Sequence, residues 1–117
     1  MLPRDRQRLK RINAYCKDIL ASIDRYGLSF EDFFADLDYQ HSVSFCILQI
    51  GELVVGLTQE YRDSTKDRIE WRQIREMRNI VVHDYGNVNL EIVWDVAIRD
   101  IPTLKEFCDE QLSKADL

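Results

Sequence analysis

Turn-forming residues are scarce, with four glycines and two prolines in 117 positions. A many-stranded β-fold needs more punctuation than that, so the scarcity argues for long helices. Positive charge is also in the minority. Sixteen Lys and Arg against 21 Asp and Glu leave a formal net charge of −5, with a pI near 5.0. Coating nucleic acid through a broad basic surface requires many phosphate contacts, and this balance argues against it while leaving room for a small basic site. The three cysteines, Cys16, Cys46 and Cys108, are too far apart for a chelate and leave one unpaired in any disulfide scheme. They read as reduced core thiols of a cytoplasmic protein. The start, Met1-Leu2-Pro3-Arg4-Asp5-Arg6, has no apolar stretch after its charges, so a secretory leader is not expected. The longest apolar-rich run, Val43 to Leu57, is broken by Ser44, Gln49 and Glu52 and falls short of the ~20 residues of a membrane span. No membrane role is expected. Hydrophobic residues at 45% beside charged ones at 32% describe a globular chain, and its length suits one domain over residues 1–117.

Helical periodicity runs through most of the chain. Leu9, Ile12, Cys16, Ile19, Leu20 and Ile23 form a buried stripe over about residues 4–25, with Gly27 as its stop. Ser29 ahead of Asp32 signals a short helix that would carry Phe30, Phe33 and Phe34 into the core. Asp36 or Asp38 can cap a long second helix to about Tyr61, with Val43, Cys46, Ile47, Ile50, Leu53, Val54 and Leu57 on its apolar face. Residues 62–66 read as a connector. Ile69, Trp71, Ile74, Met77, Val81 and Val82 predict a third long helix over about 67–85, ended by Gly86-Asn87. Asn89 can cap the next, and Pro102 should kink it or open a new helix to about Leu112. The expected fold is an all-α, up-and-down bundle of four long helices and a short one.

Chemistry concentrates in Met77-Arg78-Asn79-Ile80-Val81-Val82-His83-Asp84-Tyr85-Gly86. Imidazole can give or take a proton near neutral pH, and guanidinium presents a charged planar fork to phosphate oxygens. Together they suffice for phosphodiester cleavage without a metal or other cofactor. On a continuous α-helix, five residues turn through about 140° and rise about 7.5 Å, so Arg78 and His83 would not share a face. Either the helix unwinds before His83, or a second subunit supplies part of the site across a two-fold axis. The plainer reading makes Arg78 a surface ion-pair partner, His83 a cap, Asp84 a solvated carboxylate and Tyr85 a residue closing the bundle end. His41 reads as a surface residue. No Gly-rich phosphate loop, metal-ligand spacing or nucleophile signature occurs.

The run Arg78 to His83 resembles the R-x-x-x-x-H signature of the HEPN superfamily, and His83-Asp84-Tyr85 the H-x-Y form of the HepT-like toxins of type VII toxin–antitoxin pairs. Ile50-Gly51-Glu52, Trp71-Arg72-Gln73-Ile74 and Leu90-Glu91-Ile92-Val93-Trp94 are similar to further blocks of that family, in the same order, over about residues 40–108. Relatives often carry Pro before the Trp-Arg block and a small residue before Met-Arg-Asn, where Ile69-Glu70 and Glu76 stand here. The resemblance implies a HEPN-like helical homodimer acting as a metal-independent endoribonuclease toxin. Its implied partner is a nucleotidyltransferase antitoxin of the MNT type. Arg78 and His83 would be the catalytic pair, Asn79 and Asp84 supporting neighbours, and Tyr85 the tyrosine that the antitoxin modifies with AMP. The alternative is a non-catalytic helical partner or substrate-binding subunit of a nucleotidyltransferase.

Between Arg62 and Arg78 stand six cations and four anions, a local excess of positive charge in an acidic chain. Arg68, Arg72 and Arg75 fall at helical steps, either as a solvated face laced with salt bridges or as a track for RNA phosphates. Gly51 suggests a close approach of two helices. Glu52 is either a buried partner for an arginine, Arg78 being a candidate, or an interface carboxylate.

Overall fold

The computed structural model describes residues 1–82 and 89–115. Among them the fold is all-α. Helix α1 spans Pro3–Tyr26, α2 Phe30–Ala35, α3 Leu37–Val55, α4 Gln59–Ser64, α5 Trp71–Val82 and α6 Leu90–Asp95; a π-helical turn, Val96–Asp100, joins α6 to α7, Ile101–Ala115. Helix α3 lies at the centre, packed on α1 and α5, and α7 closes the bundle against α1.

Local chemistry sets most of the boundaries. Pro3 opens α1, where its missing N–H costs nothing. Gly27, at φ 123°, ends it in backbone that an L side chain rarely adopts, and the Tyr39 hydroxyl donates to its carbonyl at 2.9 Å. Ser29, Asp36 and Asn89 cap α2, α3 and α6, their side chains accepting from Asp32 N, Tyr39 N, and Glu91 N and Ile92 N. The stripe Leu9, Ile12, Cys16 and Ile19 meets Val43, Cys46, Ile47, Ile50 and Val54 in one core, which also holds the three cysteines as free thiols. Burial pushes the Cys16 thiol up to about 12 and the Cys46 thiol to about 11, so both are packing groups. His41 is exposed, as expected.

Four details differ from the sequence reading. Helix α3 stops at Val55, because Thr58 caps a separate helix, α4, by accepting from Tyr61 N. Buried Asp5 accepts from Thr58 N at 2.8 Å and from its hydroxyl at 2.7 Å, pinning that corner to the start of α1. The expected connector at 62–66 therefore lies largely within α4. Helix α5 begins at Trp71 rather than Asp67: the indole N–H donates to Thr65 Oγ1 at 2.8 Å and Ile69 is buried, which holds 65–70 as a turn. Phe33 enters the core against Tyr39 and Trp94, ring centroids 5.0 and 5.5 Å away, whereas Phe34 faces solvent. A six-residue helix has one inward stripe, too narrow for both.

Pro102 stands in the first turn of α7, one of its two expected placements, and that helix runs on directly from the π-helical turn. It lacks the N–H that an α-helix would direct at Ile98 O, and the turn before it widens so that Ile101 N reaches Val96 O. The expected cap at Gly86-Asn87 lies outside the described residues.

Candidate active site

The site is built on the contact between α3 and α5. A Cβ added at Gly51 would stand 2.7 Å from Arg78 Cβ and 3.3 Å from Arg75 O. Only a residue without a side chain allows α5 to approach this closely, which is the role expected of Gly51. One residue along α3, Glu52 Oε1 accepts from Arg78 Nη1 at 2.7 Å, so the expected Arg78 partner is found. The carboxylate is not buried: the Arg78 and Glu52 side chains are 34% and 51% exposed. Glycine thus brings the Arg78 backbone down onto α3, and glutamate aims its head group along the surface. Among the described residues one of the five guanidinium N–H donors is committed, leaving a charged fork with donors to spare.

The other predicted site residues on α5 part company around the helix. Asn79, about 100° from Arg78, lines a groove of about 570 Å³ between α5 and the α6–π turn, floored by Met77, Ile80 and Ile92. In that groove Asp100 has its carboxyl raised by desolvation, against the lowering effect of Arg99. Arg72 and Arg75 share an exposed face and line a depression with residues of α4. Arg68 does not join them. It precedes α5, and its guanidinium grips Glu110 of α7 through Nη1 at 3.2 Å and Nη2 at 2.7 Å while lying over the Phe107 ring. A shared helical face therefore holds for Arg72 and Arg75 alone. His83, Asp84 and Tyr85 lie outside the described residues. No group of three or more His, Cys, Asp or Glu suited to a metal ion occurs among the described residues, and none of their helices is long and apolar enough to cross a membrane.

Arg62 and Lys66, which also line that depression, were legible as charges but not as site residues. Reading Thr58 as an N-cap would have placed Arg62 on a short helix beside the start of α5.

Among the described residues, then, an all-α bundle carries a half-exposed arginine on the contact between α3 and α5. Residues 9–111 match the model of the family described as Ribonuclease HepT-like, and the chain belongs to that family. It is 34% identical over 88 residues to a Caldanaerobacter subterraneus protein named "Putative RNase TTE0752", covering 75% of this chain and 78% of that one. It is 29% identical over 96 residues to "Probable ribonuclease HepT" of Thermococcus cleftensis, covering 78% and 86%. A longer relative, "Gamma-glutamylcyclotransferase and putative RNase MJ0434" of Methanocaldococcus jannaschii, is 34% identical over 102 residues. The match spans 83% of this chain but only 46% of that protein. No solved structure matches significantly.

Proposed function

We propose that this chain, acting as one HEPN-like domain over residues 1–117, is a metal-independent endoribonuclease and the toxin of a cytoplasmic toxin–antitoxin pair. The observation that carries the reading is the guanidinium of Arg78, fixed by Gly51 and Glu52 yet still open to an anion, five positions before His83. In a two-fold dimer, one His83 imidazole takes the proton from a ribose 2′-OH. The oxygen bonds to the adjacent phosphorus, the bond from phosphorus to the 5′-oxygen breaks, and the second imidazolium protonates that leaving oxygen. Arg78 stabilises the charge building on the phosphorane. Products carry a 2′,3′-cyclic phosphate and a free 5′-hydroxyl. Asn79 and Asp84 are supporting polar neighbours.

Regulation follows from the position of Tyr85, two residues after His83. A nucleotidyltransferase antitoxin of the MNT type that adds AMP there places bulk and negative charge where a substrate phosphate must enter. Incubation with the antitoxin and ATP should raise the mass of the Tyr85 peptide by whole adenylate units and abolish cleavage; an unchanged mass would remove the covalent model. The ribonuclease reading is tested by cleavage of single-stranded RNA in the presence of a chelator. Products ending in cyclic phosphate support it, and intact RNA refutes it.

The exposed apolar side chains Leu28, Phe34 and Leu37, clustered in sequence around α2, favour a protein-binding role and keep a second reading in play. There the chain is a non-catalytic, substrate-presenting subunit of a nucleotidyltransferase. Tight complex formation with no RNA cleavage would select it.

A further inference from the structure

The cations of this acidic chain are not distributed at random between partners. Arg68, Arg78, Lys105 and Lys114 each face a carboxylate. At the junction of α4 and α5 the pattern changes. Arg62 and Lys66 from the α4 side and Arg72 and Arg75 from α5 line one open depression of about 280 Å³. The Lys66 and Arg75 side chains make no hydrogen bond or ion pair among the described residues. Arg62 Nη2 reaches only the neutral Gln59 Oε1, at 3.3 Å, and its Nε is a buried donor with no partner among the described residues. Arg72 has a carboxylate partner, Glu76 one turn on at 3.3 Å, but the arginine is 81% exposed and loosely held.

Two carboxylates also line the depression, Asp63 and Glu70, and they do not cancel the four cations. Asp63 already accepts from Gln59 Nε2 at 2.9 Å. A buried, unpaired guanidinium N–H is costly, and such orphans call for a ligand or water. Four convergent cations in a chain of net charge −5 specify an anion. The depression also lies near the site. Arg75 stands three residues, about 4.5 Å of helix rise and about 60° of rotation, before Arg78 on α5.

We propose that this depression is a second phosphate subsite, in which Arg62, Lys66, Arg72 and Arg75 hold a backbone phosphate of single-stranded RNA away from the scissile one at Arg78. The proposal rests on the ribonuclease reading and adds to it a reason for the enzyme to prefer longer strands. The depression supplies affinity and register; it touches no reacting atom. Arg68, with its fork closed on Glu110, takes no part.

The test uses the full chain and the double variant Lys66→Gln/Arg75→Gln, both positions being exposed and without a partner among the described residues, so that the fold is undisturbed; thermal denaturation checks this. Fluorescence anisotropy with labelled oligouridylate should show binding several-fold weaker in the variant at low salt. The slope of log K against log[salt] should fall by about 0.7 for each phosphate that the variant no longer neutralises. With long RNA, KM rises in step and kcat holds, whereas a dinucleotide, which carries the scissile phosphate alone, is cleaved at the wild-type rate. An unchanged salt slope and KM overturn the proposal. So does weakened binding to an acidic protein partner with the RNA slope unchanged, which would make the depression a protein-docking surface. Failure of wild-type protein to cleave the long RNA sinks the ribonuclease reading instead, and the salt slope still reports on the subsite.

Discussion

Two Arg–Glu pairs in this molecule have the same 2.7 Å contact and opposite meanings. Arg68 closes a two-pronged fork on Glu110, stacks on Phe107, and shares its carboxylate with Lys114 at 3.2 Å. The hydrogen bonds from Arg68 and Lys114 hold the Glu110 carboxyl down to about 2, and the same bond raises the arginine. Arg78 gives one donor to one oxygen of Glu52, its backbone wedged over Gly51. The first arrangement joins the α4–α5 turn to α7 and commits both terminal nitrogens of the fork to one carboxylate. The second positions a cation without consuming it. Distance alone does not separate a structural ion pair from a poised one; whether both terminal nitrogens of the fork are engaged does.

His83→Ala removes the proposed proton carrier and should lower RNA cleavage by about 10²–10⁴-fold, the range for lost general acid–base catalysis, with thermal stability retained. Cleavage at the wild-type rate would remove His83 from the mechanism. Gly51→Val attacks the placement of Arg78. A Cβ there would already stand 2.7 Å from Arg78 Cβ, so the branched side chain should push α5 off α3 at a cost of about 1–3 kcal/mol, typical of overpacking. Urea denaturation reads that loss, and cleavage should fall further than the lower stability explains. A variant as stable and as active as wild type would show that the close approach is dispensable.

Glu52→Gln keeps an acceptor for Arg78 and removes the compensating charge. A several-fold change in KM for RNA with the fold intact is expected, and a collapse in stability would instead make Glu52 structural. The smallest effect belongs to the closed pair. Because the folded-state value of Glu110 is depressed from its ordinary 4.5 to about 2, its contribution is complete above about pH 4.5 and is lost as pH falls towards 2. Glu110→Gln should lower Tm slightly at pH 7, and the gap from wild type should close over that acid window. A gap constant in pH would mean that the charge is not what stabilises the pair.

Much of this was legible in the sequence where a single residue carries a local instruction. Gly27, Ser29, Asp36 and Asn89 each mark a boundary through their own side chain, or its lack, and the structure keeps all four. Gly51 and Glu52 were legible as a close approach and an arginine partner because they stand together on the polar break of an apolar helix. What periodicity could not show was set from far along the chain. Asp5 fixes the cap at Thr58, 53 positions away, and so divides what reads as one long helix. Thr65 anchors the Trp71 indole, delays α5 and takes Arg68 off its face. The apolar period continues across both breaks, which is why it predicts neither.

The most direct test sets the two arginines side by side. Arg78→Ala and Arg68→Ala, each confirmed to be folded, are assayed for cleavage of single-stranded RNA against wild type. Loss of one transition-state donor is worth about 10²–10³ in rate, so Arg78→Ala should fall by that much while Arg68→Ala stays within a few-fold. Equal losses, or an active Arg78→Ala, would contradict the assignment of Arg78 as the arginine left open for the phosphate.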